Sequence, residues 1–439
     1  MNLVYGVKDK PKFGQMLVFA FQQVLAILAA TIAVPTIIGN GMSQSAALFG
    51  AGVGTLIYQL FTKRNSPVFL GSSFAFIGSM FAAFGGAASA AAGYAGLIIG
   101  AAFAGLVYVI IALVVKKVGV NWINKLMPPV VIGPTVAIIG LSLAGNAVGD
   151  LTTGRVAGCS PYVALICGLV TLFAVIFFSV YGKKMAKLIP FILGILAGYV
   201  VATIFTVIGI ASGNAALQVI DFSVFAGMGV VSLPDFSFVM AAQGLKDIDG
   251  AFVATVAVAY IPVAFVVFAE HLADHKNLSS IIDEDLTKNP GLHRTLLGDG
   301  VGSIAGAFFG GCPNTTYGES VGCVAITKNA SVVTITTAAV MCMIISFFGP
   351  FVTFLASIPN CVMGGVCMTL YGFIACSGLK MIQKVDLNQN KNLFVVAVIL
   401  IAGIGGLSLT FGKVTLTSIA CALILGILVN LFVSKAAEE

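Results

Sequence analysis

The sequence predicts an all-α polytopic membrane protein with 14 transmembrane segments, arranged as two inverted seven-segment repeats. Three observations carry this: an extreme composition, the placement of lysine and arginine between apolar runs, and a matched pair of broken segments. Of 439 residues, 59% are hydrophobic and 9% charged, and the mean hydropathy is +1.08. Soluble domains carry about 25% charged residues. A helical span needs roughly 20 apolar residues, and such runs fill the chain almost end to end. The alternating ten-residue pattern of an outer-membrane barrel is missing. The net charge of +6 is scattered over short loops, which excludes a nucleic-acid partner and reads as a topology signal. The nine cysteines lie mostly in apolar runs and form no C-x-x-C pair, so no metal site, redox framework or cofactor is expected.

Apolar segments fall at about 15–39, 44–61, 68–87, 91–115, 128–148, 161–181, 188–211, 250–273, 292–311, 313–328, 331–357, 359–379, 392–410 and 413–434. The basic stretch MNLVYGVKDKPKFGQ precedes a run holding Gln22, Gln23 and Pro35 with no clear A-x-A site. It reads as a retained first helix rather than a cleaved signal. With the N-terminus cytoplasmic, every Lys and Arg except Arg155, Lys246 and Lys413 falls on the cytoplasmic side. The positive-inside rule predicts such a bias. A miscount by one segment scrambles it downstream, so both termini are placed in the cytoplasm.

Residues 68–87 (VFLGSSFAFIGSMFAAFGGA) and 313–328 (PNTTYGESVGCVAITK) are short, rich in Gly and Ser or Thr, and poor helix starters. They are the third and tenth segments, hence third in each half. Pro128 with Gly133 opens the fifth segment and Pro359 with Gly364 opens the twelfth, which is fifth in its half. Seven is odd, so the halves enter the membrane from opposite sides, as inverted repeats do. Paired broken segments point to a transporter binding site, because unpaired backbone is tolerated at membrane depth only where it lines a cavity or is buried in protein. Each is read as a short extended stretch followed by a half-helix, meeting its counterpart near the midplane.

Four of the 16 acids fall inside the spans or at their rim: Glu270, Asp274, Asp299 and Glu319. A charge at the bilayer centre costs roughly 2.5–3.5 kcal/mol on insertion scales, so each needs a reason. Glu270 and Asp274 share a helix face one turn apart, and with Glu319 they form a candidate acidic cluster. An acid held away from water can take up and release a proton, which suits proton-coupled transport. Asp299, in LLGDGVG, reads as a tie between the ninth helix and a backbone break. His271 lies about 100° around the helix from Glu270; it reads as a packed, hydrogen-bonded histidine, with a proton relay as the other reading. His275 is expected near the cytoplasmic end and solvated. Gln22 and Gln23 reach the site or bond between helices. Gly96-x-x-x-Gly100 reads as close helix packing. No HExxH run and no His/Cys set at metal spacing appears, so an enzyme is not expected.

The run PNTTYGESVGCVAITK resembles the signature of the nucleobase–ascorbate transporter family: an acid or Gln, Asn, any residue, Gly, four residues, Thr, then Arg, Lys or Gly. The positions here are Glu319, Ser320, Val321, Gly322, Thr327 and Lys328. FAEHLADH (268–275) and LGSSFAF (70–76) are also similar to the uracil-transporting branch, and the resemblance spans essentially the whole chain. Ser320 departs from the family's usual Asn, and Asp274 stands where a branch member has His.

The resemblance implies a core domain of segments 1–4 (15–115) and 8–11 (250–357) and a gate domain of segments 5–7 (128–211) and 12–14 (359–434). Short antiparallel strands would lie in segments 3 and 10. It implies proton-coupled uracil import across a bacterial plasma (inner) membrane by a homodimer, with core moving against gate. Glu270 and Glu319 would hydrogen-bond the base. Backbone at Ala75, Phe76, Gly318 and Glu319 would contact it, and Phe76 would pack on its ring. Glu270, Asp274 and Glu319 would carry the coupling proton, supported by Ser320, Gly322, Thr327 and His271. A purine (xanthine or urate) permease is the alternative within the family. An anion transporter or channel on the same fold is the alternative outside it, and the acids weigh against that.

Overall fold

The computed structural model describes residues 3–119, 122, 127–411 and 414–434; Lys125, Lys413 and Lys435, which enter the topology argument, lie outside the described residues. The first half runs α1 (Phe13–Ile38), α2 (Gln44–Phe61), β1 (Leu70–Ser72), a 3-10 turn (Phe74–Phe76), α3 (Ile77–Gly85) and α4 (Ala90–Val118). It continues through α5 (Pro129–Ser142), α6 (Ala144–Asp150), α7 (Pro161–Tyr181), α8 (Met185–Leu188) and α9 (Pro190–Ser212). After a connection carrying α10 (Ser237–Gly244), the second half holds α11 (Gly250–Ile282), α12 (Leu292–Gly310), β2 (Asn314–Thr316) and α13 (Gly318–Thr327). Then follow α14 (Val332–Ile345), α15 (Gly349–Ser357), α16 (Asn360–Ile382), α17 (Asn390–Ile404), β3 (Leu409–Phe411), β4 (Val414–Leu416) and α18 (Ser418–Val433).

Among the described residues, seven helical stretches are long and apolar enough to cross a membrane: α1, α4, α5 with α6, α7, α9, α11 and α16. Shorter apolar helices lie at Phe74–Gly85, Val332–Ile345, Asn390–Ile404 and Ser418–Val433. Two of the expected spans are interrupted. The fifth breaks at Leu143, between α5 and α6, and the eleventh breaks between α14 and α15. Pro starts α5 and α7 at their first turn, where its missing N–H costs nothing.

Packing sorts the helices into two groups. In the first, α2 and α4 lie against α12, α11 lies against α4, and α14 lies against α1 and α2. In the second, α5 lies against α16 and α17, α7 against α9 and α16, and α17 against α18. Small residues bring the backbones together. A Cβ added at Gly96 would meet the Phe252 ring at 2.7 Å, and one at Gly100 would run into the Tyr260 ring. The G-x-x-x-G run is thus the seat of two aromatic rings from α11.

The two broken segments meet in the first group. β1 pairs antiparallel with β2 in the register Leu70↔Thr316, Gly71↔Thr315 and Ser72↔Asn314, and every residue of both strands is buried. The pairing extends outward: Ser73 N–H donates to Pro313 O at 2.8 Å and Tyr317 N–H to Phe69 O at 3.3 Å. Side chains take the remaining groups. Leu70 N–H donates to Thr55 Oγ1 at 2.9 Å, and Tyr317 O–H donates to Ser72 O at 2.7 Å. Ser320, fully buried, accepts from Phe69 N–H at 3.0 Å and from the Gln23 amide. It therefore joins α13, the entrance to β1 and α1 through one hydroxyl.

Two changes in this motif should separate. Ser320→Ala strands a buried N–H at Phe69, at a cost of about 1–3 kcal/mol, and should lower the thermal denaturation temperature of the detergent-solubilised protein. A Cβ at Gly322 meets nothing within 4 Å, and Ala is the better helix former. Gly322→Ala should therefore leave that temperature unchanged or raise it.

Candidate functional site

A cavity of about 410 Å³ lies where the two helix groups face each other. The first group contributes Ser73 with Phe74 and Ala75 of the 3-10 turn, Glu270 and Asp274 from α11, and Gly318 and Glu319 from α13. The second contributes an apolar wall: Ile132, Val136 and Ile139 of α5, with Leu370, Phe373 and Ile374 of α16. The lining continues to Ser377 and Met381, beside Lys380 and Lys384 at the end of α16.

Each polar element is aimed by the local fold. Both half-helices begin directly after the paired strands, so their first turns point into the space between the groups. α13 opens at Gly318 without a side-chain cap, and its first bonded amide is Val321 N–H, which donates to Tyr317 O. The amides of Gly318 and Glu319 thus have no partner within the helix and stand at the cavity wall. The 3-10 turn likewise opens without a side-chain cap, with Ala75 at the wall. Opposite them, Glu270 and Asp274 project from successive turns of α11. Asp274 accepts from Thr316 Oγ1 at 2.8 Å, which ties α11 to the end of β2.

Behind the cavity lies a buried polar chain. His271 Nδ1 is 2.7 Å from Asp299 Oδ2 and His271 Nε2 is 2.9 Å from Thr295 Oγ1. Thr315 Oγ1 donates to the same Asp299 oxygen at 3.4 Å, so Asp299 joins α12, α11 and β2. His275 Nδ1 donates to His271 O at 2.8 Å, and its Nε2 bonds Tyr58 O–H at 2.7 Å. The two imidazoles stack with centroids 4.0 Å apart.

The structure brings Glu270, Asp274, Glu319, Ala75 and Gly318 to one cavity. Asp299 and His271 stand behind it. Two expectations change. His275 is not solvated: it is 1% exposed, because α11 continues to Ile282 beyond it and Tyr58, distant in sequence, packs on its ring. The Phe76 ring does not face the cavity. It is buried against Tyr260, with centroids 5.4 Å apart and planes at 22°, because a 3-10 turn carries residues 74 and 76 to different sides. From this turn it is Phe74 that lines the cavity, edge-on to Tyr371 at 6.2 Å. Thr327 donates to Cys323 O at 2.6 Å, a local helix bond remote from the acids. Gln23 bonds between helices, to Ser320. The spacing Gly318-x-Ser320-x-Gly322 matches a hydrolase nucleophile elbow. Ser320, however, is buried and bonded to Gln23 and Phe69 N–H, with no histidine beside it. Sequence reasoning missed the apolar wall from α5 and α16, whose residues carry the same apolar signal as any span.

Comparison with known proteins agrees with this architecture. The Xan_ur_permease model, described as Permease family, matches residues 14–412. The uracil permease of Bacillus caldolyticus is 39% identical, over 99% of this chain and 96% of its own length. The uracil permease of Escherichia coli (strain K12) is 32% identical, over 96% of this chain and 92% of its own. Among solved structures, the transmembrane domain of the cyanobacterial bicarbonate transporter BicA superposes with a TM-score of 0.57 at 18% identity, covering 96% of this chain and 98% of that one. The inward-facing murine Slc26a9 anion transporter superposes at 0.68 with 14% identity, covering 97% of this chain and 69% of that one. At such identities the likeness shows the fold alone. The chain is a multi-pass membrane protein and belongs to the Permease family.

Proposed function

We propose that this protein is a secondary active transporter that imports uracil across the plasma (inner) membrane by proton symport. The observation that carries the reading is that carboxylates and the uncapped starts of the 3-10 turn and α13 line one cavity. Uracil presents two N–H donors and two carbonyl acceptors on a flat ring. Glu270 and Glu319 accept the ring N–H groups. The amides at Ala75, Gly318 and Glu319 donate to the carbonyls. Phe74 supplies the aromatic face. The relatives named uracil permease support the same substrate. No Lys or Arg is among the residues that line the cavity, which weighs against an anion as cargo. A volume near 410 Å³ lies within the usual range for small-molecule pockets, about 300–1,000 Å³, and admits a planar base.

In this reading the chain crosses the membrane 14 times as two inverted repeats, with both termini cytoplasmic, and works as a homodimer. The core (15–115 and 250–357) moves against the gate (128–211 and 359–434), exposing the site to each side in turn. Asp274, beside the substrate acids and bonded to Thr316, exchanges the coupling proton together with Glu270 and Glu319. Protonation changes which of their bonds to N–H donors survive, and this links proton and base.

Uptake of radiolabelled uracil into proteoliposomes should rise with an inward proton gradient and collapse with a protonophore. Uptake that ignores pH and requires sodium contradicts proton symport. Glu319→Gln removes a charged acceptor and should weaken uracil binding by about tenfold or more. An unchanged Kd removes Glu319 from the site.

A further inference from the structure

A second cavity, of about 230 Å³, lies on the far side of Phe74 and Ile139. Those two residues line both cavities, so they form a wall one side chain thick. The lining on each side follows a single helix stripe through the wall. Along the fifth segment, Ile132, Val136 and Ile139 face the first cavity, and Ile139, Ser142, Leu143 and Asn146 face the second. These positions recur every three or four residues, one face of a helix. From Ile132 to Ser142 the stripe spans about 15 Å at 1.5 Å per residue, and it continues past the break at Leu143 to Asn146. Along the third segment, Ala75 and Phe74 face the first cavity, and Phe74, Ile77, Gly78 and Phe81 face the second. The remaining wall is the start of α18, Thr417 to Ile419. Both cavities therefore lie on one track between the two helix groups, interrupted only at Phe74 and Ile139.

The chemistry of the second cavity differs from the first. Among the described residues it has no carboxylate, and its polar groups are neutral: Ser142, Asn146, Thr417 and Ser418. Two of these are committed locally, since Ser142 donates to Ile139 O at 3.0 Å and Thr417 caps α18 through Ala420 N–H. Asn146 is exposed to the cavity, and its amide offers both donors and an acceptor. Phe74 and Phe81 add aromatic faces.

We infer that this second cavity is a loading site for the same flat, amide-bearing ring, with Asn146 as its polar anchor and Phe74 with Ile139 as the partition to the Glu270–Glu319 site. The inference rests on the uracil reading. A ring with paired N–H and C=O groups suits a carboxamide, which returns one donor and one acceptor side by side. The absence of charge makes this the weaker site, so the ring is held briefly and passed on when the partition moves. Its position, at the end of the fifth segment away from Pro128 and Lys380, makes it the first site met from that end.

The test is initial-rate transport of radiolabelled uracil by the full chain, oriented in proteoliposomes, with substrate offered from one end or the other. Asn146→Leu should raise the KM for uracil offered from the Asn146 end by about fivefold, the loss of a neutral hydrogen bond. The KM from the Lys380 end should stay within about twofold, and Asn146→Gln should restore most of the loss. An equal rise from both ends, or none from either, overturns the loading site while leaving the Glu319 site standing. A wild-type protein that binds and transports no uracil overturns the substrate reading, and this inference with it.

Discussion

Inside a bilayer no water is available to a backbone N–H or C=O, so a spanning segment that stops being a helix must find its partners in protein. The antiparallel pairing of residues 70–72 with 314–316 meets that constraint, and the rest of the structure depends on it. Each strand satisfies the other, and each is followed at once by a half-helix whose first amides are left over. The pairing therefore sets two uncapped helix starts at the same depth, facing the same space. Without it, the breaks in segments 3 and 10 would be isolated defects. With it, they are the two halves of one polar floor.

The supports of this floor are short-range and numerous. Asp299 ties His271 of α11 and Thr315 of β2 to α12. Thr316 holds Asp274. Ser320 joins α13 to Phe69 N–H and to Gln23. These bonds fix α11, with its Glu270 and Asp274, relative to the strands. The polar side of the cavity is thus one rigid unit. The opposite wall, from α5 and α16, is apolar and makes no hydrogen bond to it among those described at the cavity. A hydrogen-bonded floor against a greasy wall is a contact that can slide, which is what alternating exposure of one site requires.

Much of this was legible in the sequence. The breaks at 68–87 and 313–328 stood out because Gly, Ser, Thr and Pro replace a helical apolar run. Glu270, Asp274 and Glu319 stood out because acids are rare in such a chain. What was not legible depended on distant partners or on exact backbone geometry. His275 falls past the apolar stretch and looks solvated until α11 is seen to run on to Ile282 and Tyr58 to pack against the ring. Phe74 and Phe76 are indistinguishable by composition, and only the 3-10 turn decides that Phe74 faces the cavity. The interruption at Leu143 lies in GLSLAGN (140–146), where the small and polar residues are no more marked than in spans that stay continuous. Ser320, shorter than the residue usual in its motif, still reaches two partners because Gln23 extends to meet it.

Whether the paired strand ends and two carboxylates hold a single-ring nucleobase is decided by ligand-induced thermal shifts of the purified protein with uracil, thymine, 5-fluorouracil, xanthine and urate across a range of pH. Uracil and 5-fluorouracil should stabilise it in a pH-dependent way, and xanthine and urate little or not at all. Stabilisation by xanthine or urate in place of uracil, or by none of the five, would contradict a single-ring site.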